Sequence, residues 1–372
     1  MVRARAIGIV EEIEGERPGV QEISVRVDGE LRHAINYPFF TGSVHPGDGV
    51  LLNTWAVSLG LGTGGYDFVM ARTGCSEDAE PPGHIMKLRY TPVQTPVLAA
   101  EAPESPHHEA LAGFQSLEGT PVVCAELHSQ VAPVAAAAKL EAGSSTRVVY
   151  VMTDGAALPI GLSRTVEQMR REGLIEATVT AGQAVGGDYE AVNLYSALAV
   201  AKAVAQADVI VVSQGPGGVG TATRLGFTGI DQGIALNAAT SLGGTPIAVV
   251  RLSFTDPRPR HHGISHHTLT VLERVALSSV MVPVPRLRAT QNWKWRSALA
   301  NTDLLERHQF VTVDAELGIE TLAKGNIAFS TMGRTLREER PFFLSAVAAG
   351  LLAGQWISGQ VTSARITEGS DE

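Results

Sequence analysis

From Thr120 onward the chain repeats one pattern: a short run of β-branched and other apolar residues, then a longer stretch with helical spacing. The apolar runs fall at 121–126, 147–152, 175–180, 208–213, 246–252 and 280–284. The helical stretches lie near 129–141, 162–172, 190–206, 228–242 and 266–277. A strand that is apolar throughout must be covered on both faces, and a parallel sheet with crossover helices provides that cover. The pattern predicts a doubly wound, mainly parallel α/β sheet of Rossmann-like form over residues 119–372, with further helices and a strand at 310–313 in the tail.

Residues 1–72 follow a different rule. Glu22–Val27 alternates apolar and polar residues and ends in the turn signal Asp28-Gly29. Pro46-Gly47-Asp48-Gly49 enters the apolar run Val50-Leu51-Leu52, and residues 59–65 form a glycine-rich turn. These features predict a small closed β-barrel. Residues 73–118 read as a linker: Pro81-Pro82-Gly83 breaks the chain, 85–97 suits one extended strand, and 99–107 is rich in Pro, Glu and Ala and is expected to be exposed.

Composition excludes several classes. Hydrophobic residues make up 44% of the chain and charged residues 18%, a well-buried globular balance. The net charge of -9 argues against a nucleic-acid partner held by a general basic field. Cys75 and Cys124 form no CxxC pair, so neither a disulfide scaffold nor a cysteine zinc site is expected. The start of the chain has no long apolar stretch of signal-peptide type. Phe342–Ile357, broken by Ser345, Gly350, Gly354 and Gln355, reads as a buried helix and not a bilayer span. A cytoplasmic protein without a membrane partner is the expectation, and a homo-oligomer is compatible with it.

The segments after the strands differ from those before them. The former carry Leu127-His128-Ser129-Gln130, Thr153-Asp154-Gly155, Gly186-Gly187-Asp188, Gln214-Gly215-Pro216-Gly217-Gly218-Val219-Gly220-Thr221, and Asp256 with Arg258, Arg260 and the histidines. The returns, such as Glu172-Gly173-Leu174, are short and plain. In an open parallel sheet all strand-to-helix loops emerge on one edge, where ligands bind. Five polar loops on that edge predict a site there, whereas capping alone accounts only for single glycines.

Arg258-Pro259-Arg260-His261-His262-Gly263-Ile264-Ser265-His266-His267 concentrates cations ahead of a helix for which Ser265 is the expected N-cap. A helix N-terminus disfavours imidazolium, which favours neutral His266 and His267 near pH 7. Neutral histidine can ligate a metal, act as a base or donate a hydrogen bond. His261, His262 and His128 are candidate ligands for a divalent metal, although no HExxH or HxH spacing is present. Arg258 and Arg260 suit an anion. Asp154 ends an apolar strand and is a candidate metal ligand, general base or Asx-turn residue. Asp188 is expected to cap a helix beginning near 188, and it stays a catalytic candidate through its place on the same edge.

Gly215, Gly217, Gly218 and Gly220 fit G-x-G-x-x-G, with Thr221 adding a donor. The match to a nicotinamide-binding fingerprint is poor. The loop follows the fourth strand, Pro216 lacks a backbone donor, and Arg251 stands where an acidic ribose contact is expected. Two readings stay open: amides that cradle a phosphate or carboxylate, and glycines needed for close packing. No G-x-S-x-G and no Walker lysine loop occurs.

The strings Pro46-Gly47-Asp48, Leu51-Leu52-Asn53, Gly62-Thr63-Gly64-Gly65, Gly186-Gly187-Asp188-Tyr189-Glu190-Ala191-Val192-Asn193, Gln214-Gly215-Pro216-Gly217 and Ser265-His266-His267-Thr268 span most of the chain. On them the chain resembles an uncharacterised bacterial domain-of-unknown-function family, a resemblance that implies no activity. The leading expectation is an enzyme acting on, or a protein binding, a small anionic metabolite. In it the glycine loop with Arg258 and Arg260 holds the anion, and His266 or His267 serves as acid or base oriented by Asp154 or Asp188. The alternatives are a metal-dependent hydrolase built on the histidines and a non-catalytic sensor or assembly subunit.

Overall fold

The computed structural model describes residues 3–74, 76, 80–300 and 302–361, so Cys75 lies outside the described residues. The chain divides into two compact units. One comprises residues up to Leu98 together with Pro159–Leu162, and the other Ala99–Leu158 with the chain from Ser163 onward.

The first unit is built on a closed barrel of β1 (Arg5–Arg17), β2 (Val20–Val27), β3 (Glu30–Asn36), β4 (Gly49–Asn53) and β5 (Asp67–Arg72), in the order β1-β2-β3-β5-β4. Alternate residues point inward, so Val10, Ile23, Val25, Val27, Ala34, Val50, Leu52 and Val69 fill the interior. Register shifts between Val10 and Glu12 and between Ile13 and Gly15 bend the long first strand around the barrel. Residues 85–97 form a hairpin where one strand was expected. β6 (Ile85–Lys87) pairs antiparallel with β7 (Thr95–Val97), and Leu88 and Tyr90 take positive φ at the bend between them.

The second unit carries eight parallel strands. They are β8 (Pro121–Cys124), β9 (Val148–Thr153), β10 (Ala177–Ala181), β11 (Tyr189–Ala191), β12 (Val209–Gln214), β13 (Thr245–Ala248), β16 (Met281–Pro285) and β17 (Gln309–Val313). Their order is β11-β10-β9-β12-β8-β13-β16-β17. β14 (Leu252–Ser253) and β15 (Gly263–Ile264) make a small separate hairpin. The central strands are buried along their whole length, as their unbroken β-branched runs require.

The connections of this sheet interleave. The chain leaves β8, passes over β12 and enters β9; it leaves β12, passes over β8 and enters β13. β13 then continues to β16 on its other side. The loops after the neighbours β8 and β13 therefore part in opposite directions, which is the switch-point arrangement that opens a crevice at the carboxyl edge. Two helices close one face: α1 (Val131–Ala142) after β8, and α2 (Arg340–Ile357) near the end of the described chain. They meet so closely that a methyl group on Gly350 would lie 2.3 Å from the carbonyl oxygen of Val134. The helix expected at Phe342–Ile357 is buried, and no helix of the described residues is long and apolar enough to cross a membrane.

Two local expectations are corrected. Asp188 leads into edge strand β11 and not into a helix, because its carboxylate accepts hydrogen bonds from the Thr178 backbone N–H at 2.7 Å and from Arg170 at 2.5 Å. The following helix begins after Asn193, whose side chain caps Ser196 N at 3.0 Å. The segment expected to be an exposed linker enters the sheet instead. Ala99 bridges Glu190 in parallel, and Ala99, Ala100 and Ala102 are buried.

Candidate functional site

The site begins with two charged residues that end apolar runs. Glu126 stands just beyond β8 and Arg251 just beyond β13, so the switch point brings them face to face. Arg251 Nη1 donates to Glu126 Oε1 at 3.0 Å, and His267 Nδ1 lies 2.7 Å from the same oxygen. The Glu126 side chain is fully enclosed and that of Arg251 is 6% exposed. A buried charge persists only when it is paired, and each of these depends on the other. Burial alone would raise the carboxyl pKa of Glu126, but the hydrogen bond from His267 and the charge of Arg251 hold it below its ordinary value.

The backbone around the pair is held from both sides. A methyl group on Gly229 would lie 2.5 Å from Glu126 Cγ, so a glycine there leaves room for the carboxylate. Ser265 N donates to Arg251 O at 2.9 Å and Arg251 N to Thr268 Oγ1 at 3.0 Å, which locks the strand end against α3 (His266–Thr270). Ser265 caps α3 by accepting from His267 N at 3.2 Å. The cap predicted from sequence is therefore formed.

Three histidines converge beside this pair. One ring nitrogen from each of His261, His266 and His267 lies within 4.8 Å of the others. A carboxylate can only accept, so the contact with Glu126 assigns a proton to Nδ1 of His267 and leaves Nε2 as the ring nitrogen not engaged by Glu126. His261 Nδ1 lies 2.8 Å from Ser265 Oγ, so Nε2 is the ring nitrogen not engaged by Ser265. His266 Nε2 is buried without a hydrogen-bond partner among the described residues. Burial, helped by the charges of Arg251 and Arg258, pushes the His261 pKa down to about 3. Burial, His267 and Arg260 also lower that of His266. Both rings are neutral near pH 7, the state that ligates metals. The Phe227 ring closes one side, stacked on His267.

A shell of ion pairs surrounds the cluster. Arg258 donates to Asp256 from Nε at 2.9 Å and Nη2 at 2.7 Å and holds that carboxyl well below the usual carboxylate range. Glu339 accepts from Ser253 Oγ at 2.8 Å and Thr255 Oγ1 at 2.6 Å and lies 2.8 Å from Arg334 Nε. Arg334 arrives on a hairpin of β18 (Ser330–Thr331) and β19 (Arg334–Thr335). The hairpin is tied down where Ser129 Oγ meets Thr331 Oγ1 at 3.0 Å.

The residues singled out from sequence separate into those that join this cluster and those that do not. His261, His266 and His267 meet, and the glycine loop reaches them: a methyl group on Gly220 would lie 3.6 Å from His267 Cε1. That loop closes partly on itself. Val219 N donates to Thr228 Oγ1 at 3.0 Å and Thr221 N to Gly226 O at 2.8 Å; Gly217 takes φ 92° and Gly218 lies against Gln214 and Thr228. Gly215 directly follows β12. Arg258 is engaged by Asp256, while exposed Arg260 is paired with no carboxylate among the described residues. His262 turns outward to Lys294 Nζ at 3.1 Å. His128 is buried elsewhere, between Ser163 Oγ at 2.6 Å and Tyr150 Oη at 3.0 Å. Asp154 accepts from Gln183 N at 2.9 Å on the loop after β9, and Asp188 is held at the far edge strand.

Glu126, Arg334 and Glu339 were not singled out from sequence, and Arg251 was noted only as a misfit in the glycine-loop pattern. A usable signal existed for Glu126 and Arg251: a lone Glu and a lone Arg, each closing an otherwise apolar run, suggest partners in a buried pair.

The model of the family described as Protein of unknown function (DUF3866) matches residues 33–350, and the chain belongs to that family. No curated protein and no solved structure matches the chain.

Proposed function

We propose that His261, His266 and His267 form a divalent metal centre, with zinc the best chemical fit, and that the protein is a metal-dependent hydrolase of a small anionic substrate. One observation carries the reading: three imidazoles converge while Glu126 and Ser265 engage the Nδ1 atoms of His267 and His261. Three protein nitrogens with a carboxylate behind one of them match the chemistry of catalytic zinc sites, which keep a fourth position for water. When bound, such an ion supplies a water that ionises near neutral pH and a charge that polarises the scissile bond. Glu126 fixes the tautomer and orientation of His267, as a positioning residue. Arg251 keeps Glu126 ionised. Arg260, exposed and with no carboxylate partner among the described residues, is the group suited to drawing an anion toward the cluster.

The test is elemental analysis of purified protein, with thermal shifts on adding Zn²⁺, Mn²⁺ or Fe²⁺. About one ion per chain, lost in His266→Ala, is the expected result. Protein that carries no ion and shows no shift with any of the three overturns the metal centre. Hydrolysis of small phosphate or carboxylate esters by the loaded protein then tests the reaction class.

A further inference from the structure

The tip of the β18–β19 hairpin is Met332-Gly333, with φ of 47° and 76°. A two-residue turn with both residues in the left-handed region favours Asn-Gly, and a methionine in its first position is strained. The turn itself therefore does not account for the methionine. Its side chain reaches back over the site, with Sδ 3.8 Å from Nη2 of Arg251 and 3.8 Å from Nη2 of Arg258. It is 52% exposed, whereas Met152, Met169 and Met281 are buried and Met70 and Met86 are half-buried.

We propose that Met332 is a reversible oxidation site for hydroperoxides, and that its sulfoxide pins the hairpin over the histidine cluster. A hydrogen peroxide oxygen is transferred to the thioether sulfur. The S–O bond forms as the O–O bond breaks, sulfur gives up two electrons, and the peroxide leaves as water. A thioether is a weak acceptor, but a sulfoxide oxygen is a strong one facing two guanidinium groups already in place. The new bonds to Arg251 and Arg258 are charge-assisted. Arg251 also holds Glu126, and Glu126 holds His267, so the modified hairpin is tied through three side chains to the cluster. The oxidation stands on this geometry alone; its effect on metal exchange rests on the proposed metal centre.

The experiment is graded hydrogen peroxide treatment of the full chain, followed by tryptic mass analysis. Residues 325–334, flanked by Lys324 and ending at Arg334, contain Met332 and no other methionine. This peptide is expected to gain one oxygen at doses that leave the Met70 and Met86 peptides unmodified. Amide hydrogen exchange over 330–335 is expected to slow by about tenfold on conversion, to recover with methionine sulfoxide reductases, and not to change with peroxide in Met332→Leu. Zinc loss to a chelator slows in parallel. Equal oxidation of Met70 and Met86, or unchanged exchange after full conversion of Met332, overturns the proposal. A protein that binds no zinc removes the metal reading, while the exchange measurement still decides this one.

Discussion

Phe227 lies flat on the imidazole of His267, with ring centroids 3.8 Å apart and planes 2° from parallel. The glycine loop and the histidine helix thus meet ring on ring, while Glu126 holds the edge of the same imidazole. Replacing Phe227 with leucine keeps an apolar group in place but removes the stacking, worth about 0.5–1.5 kcal/mol. Phe227→Leu is expected to lower stability by that amount and to weaken zinc binding less than tenfold. Urea unfolding and a zinc titration check both; an unchanged titration means the stack does not orient His267.

Glu126→Gln removes the charge that Arg251 needs and replaces the carboxylate behind His267 with a neutral, weaker amide acceptor. Breaking a buried pair from one side costs about 3–5 kcal/mol. Loss of a carboxylate behind a metal-binding histidine typically weakens metal affinity by about 10–100-fold. Both losses are expected together, read by denaturant midpoint and by competition with a chelator. A variant as stable as the parent would show that Arg251 is not held by this carboxylate.

Acid stability should depend on His128. Enclosed between Ser163 and Tyr150, it has its pKa pushed from 6.5 down to about 4 by burial. The unfolded chain therefore takes up a proton below pH 6.5 that the folded chain refuses until about pH 4. Its contribution is fully present above pH 6.5 and is lost as pH falls through that window, by up to about 3 kcal/mol. His261, lowered to about 3, acts in the same direction. Unfolding free energies at pH 7 and 4.5 test this, with His128→Gln expected to flatten the dependence.

Gly350→Ala probes the packing of α2 on α1. The added methyl meets the Val134 carbonyl at 2.3 Å and Ala137 Cβ at 2.7 Å, and neither is a flexible side-chain end. Overpacking of this kind costs about 1–3 kcal/mol. Thermal unfolding should show a clear drop with zinc stoichiometry unchanged, because the helices meet away from the histidines.

Periodicity made the sheet legible. Unbroken β-branched runs can only be buried strands, and their alternation with helical stretches requires parallel connections. β11 was hidden because Gly186-Gly187-Asp188 offers a good helix cap, and only the neighbouring Thr178 and Arg170 draw Asp188 into strand geometry. Ala99–Ala102 was hidden because alanines beside prolines look exposed until a sheet edge stands next to them. The histidine loop and the glycine loop were visible as composition. Strand order was not, so the carboxylate that meets His267 could not be told from Asp154 or Asp188. His262 differs from its neighbours only by which way the short 259–261 turn aims it.

The clasp of α1 by α2 carries a consequence for biosynthesis. The two helices lie about 200 residues apart in the chain, so α1 is made long before the residues 340–357 that cover it. Until then its alanine-rich face is bare on the ribosome, which makes late synthesis the period of greatest exposure to chaperones and proteases. A premature stop before residue 340 would leave that face open for good.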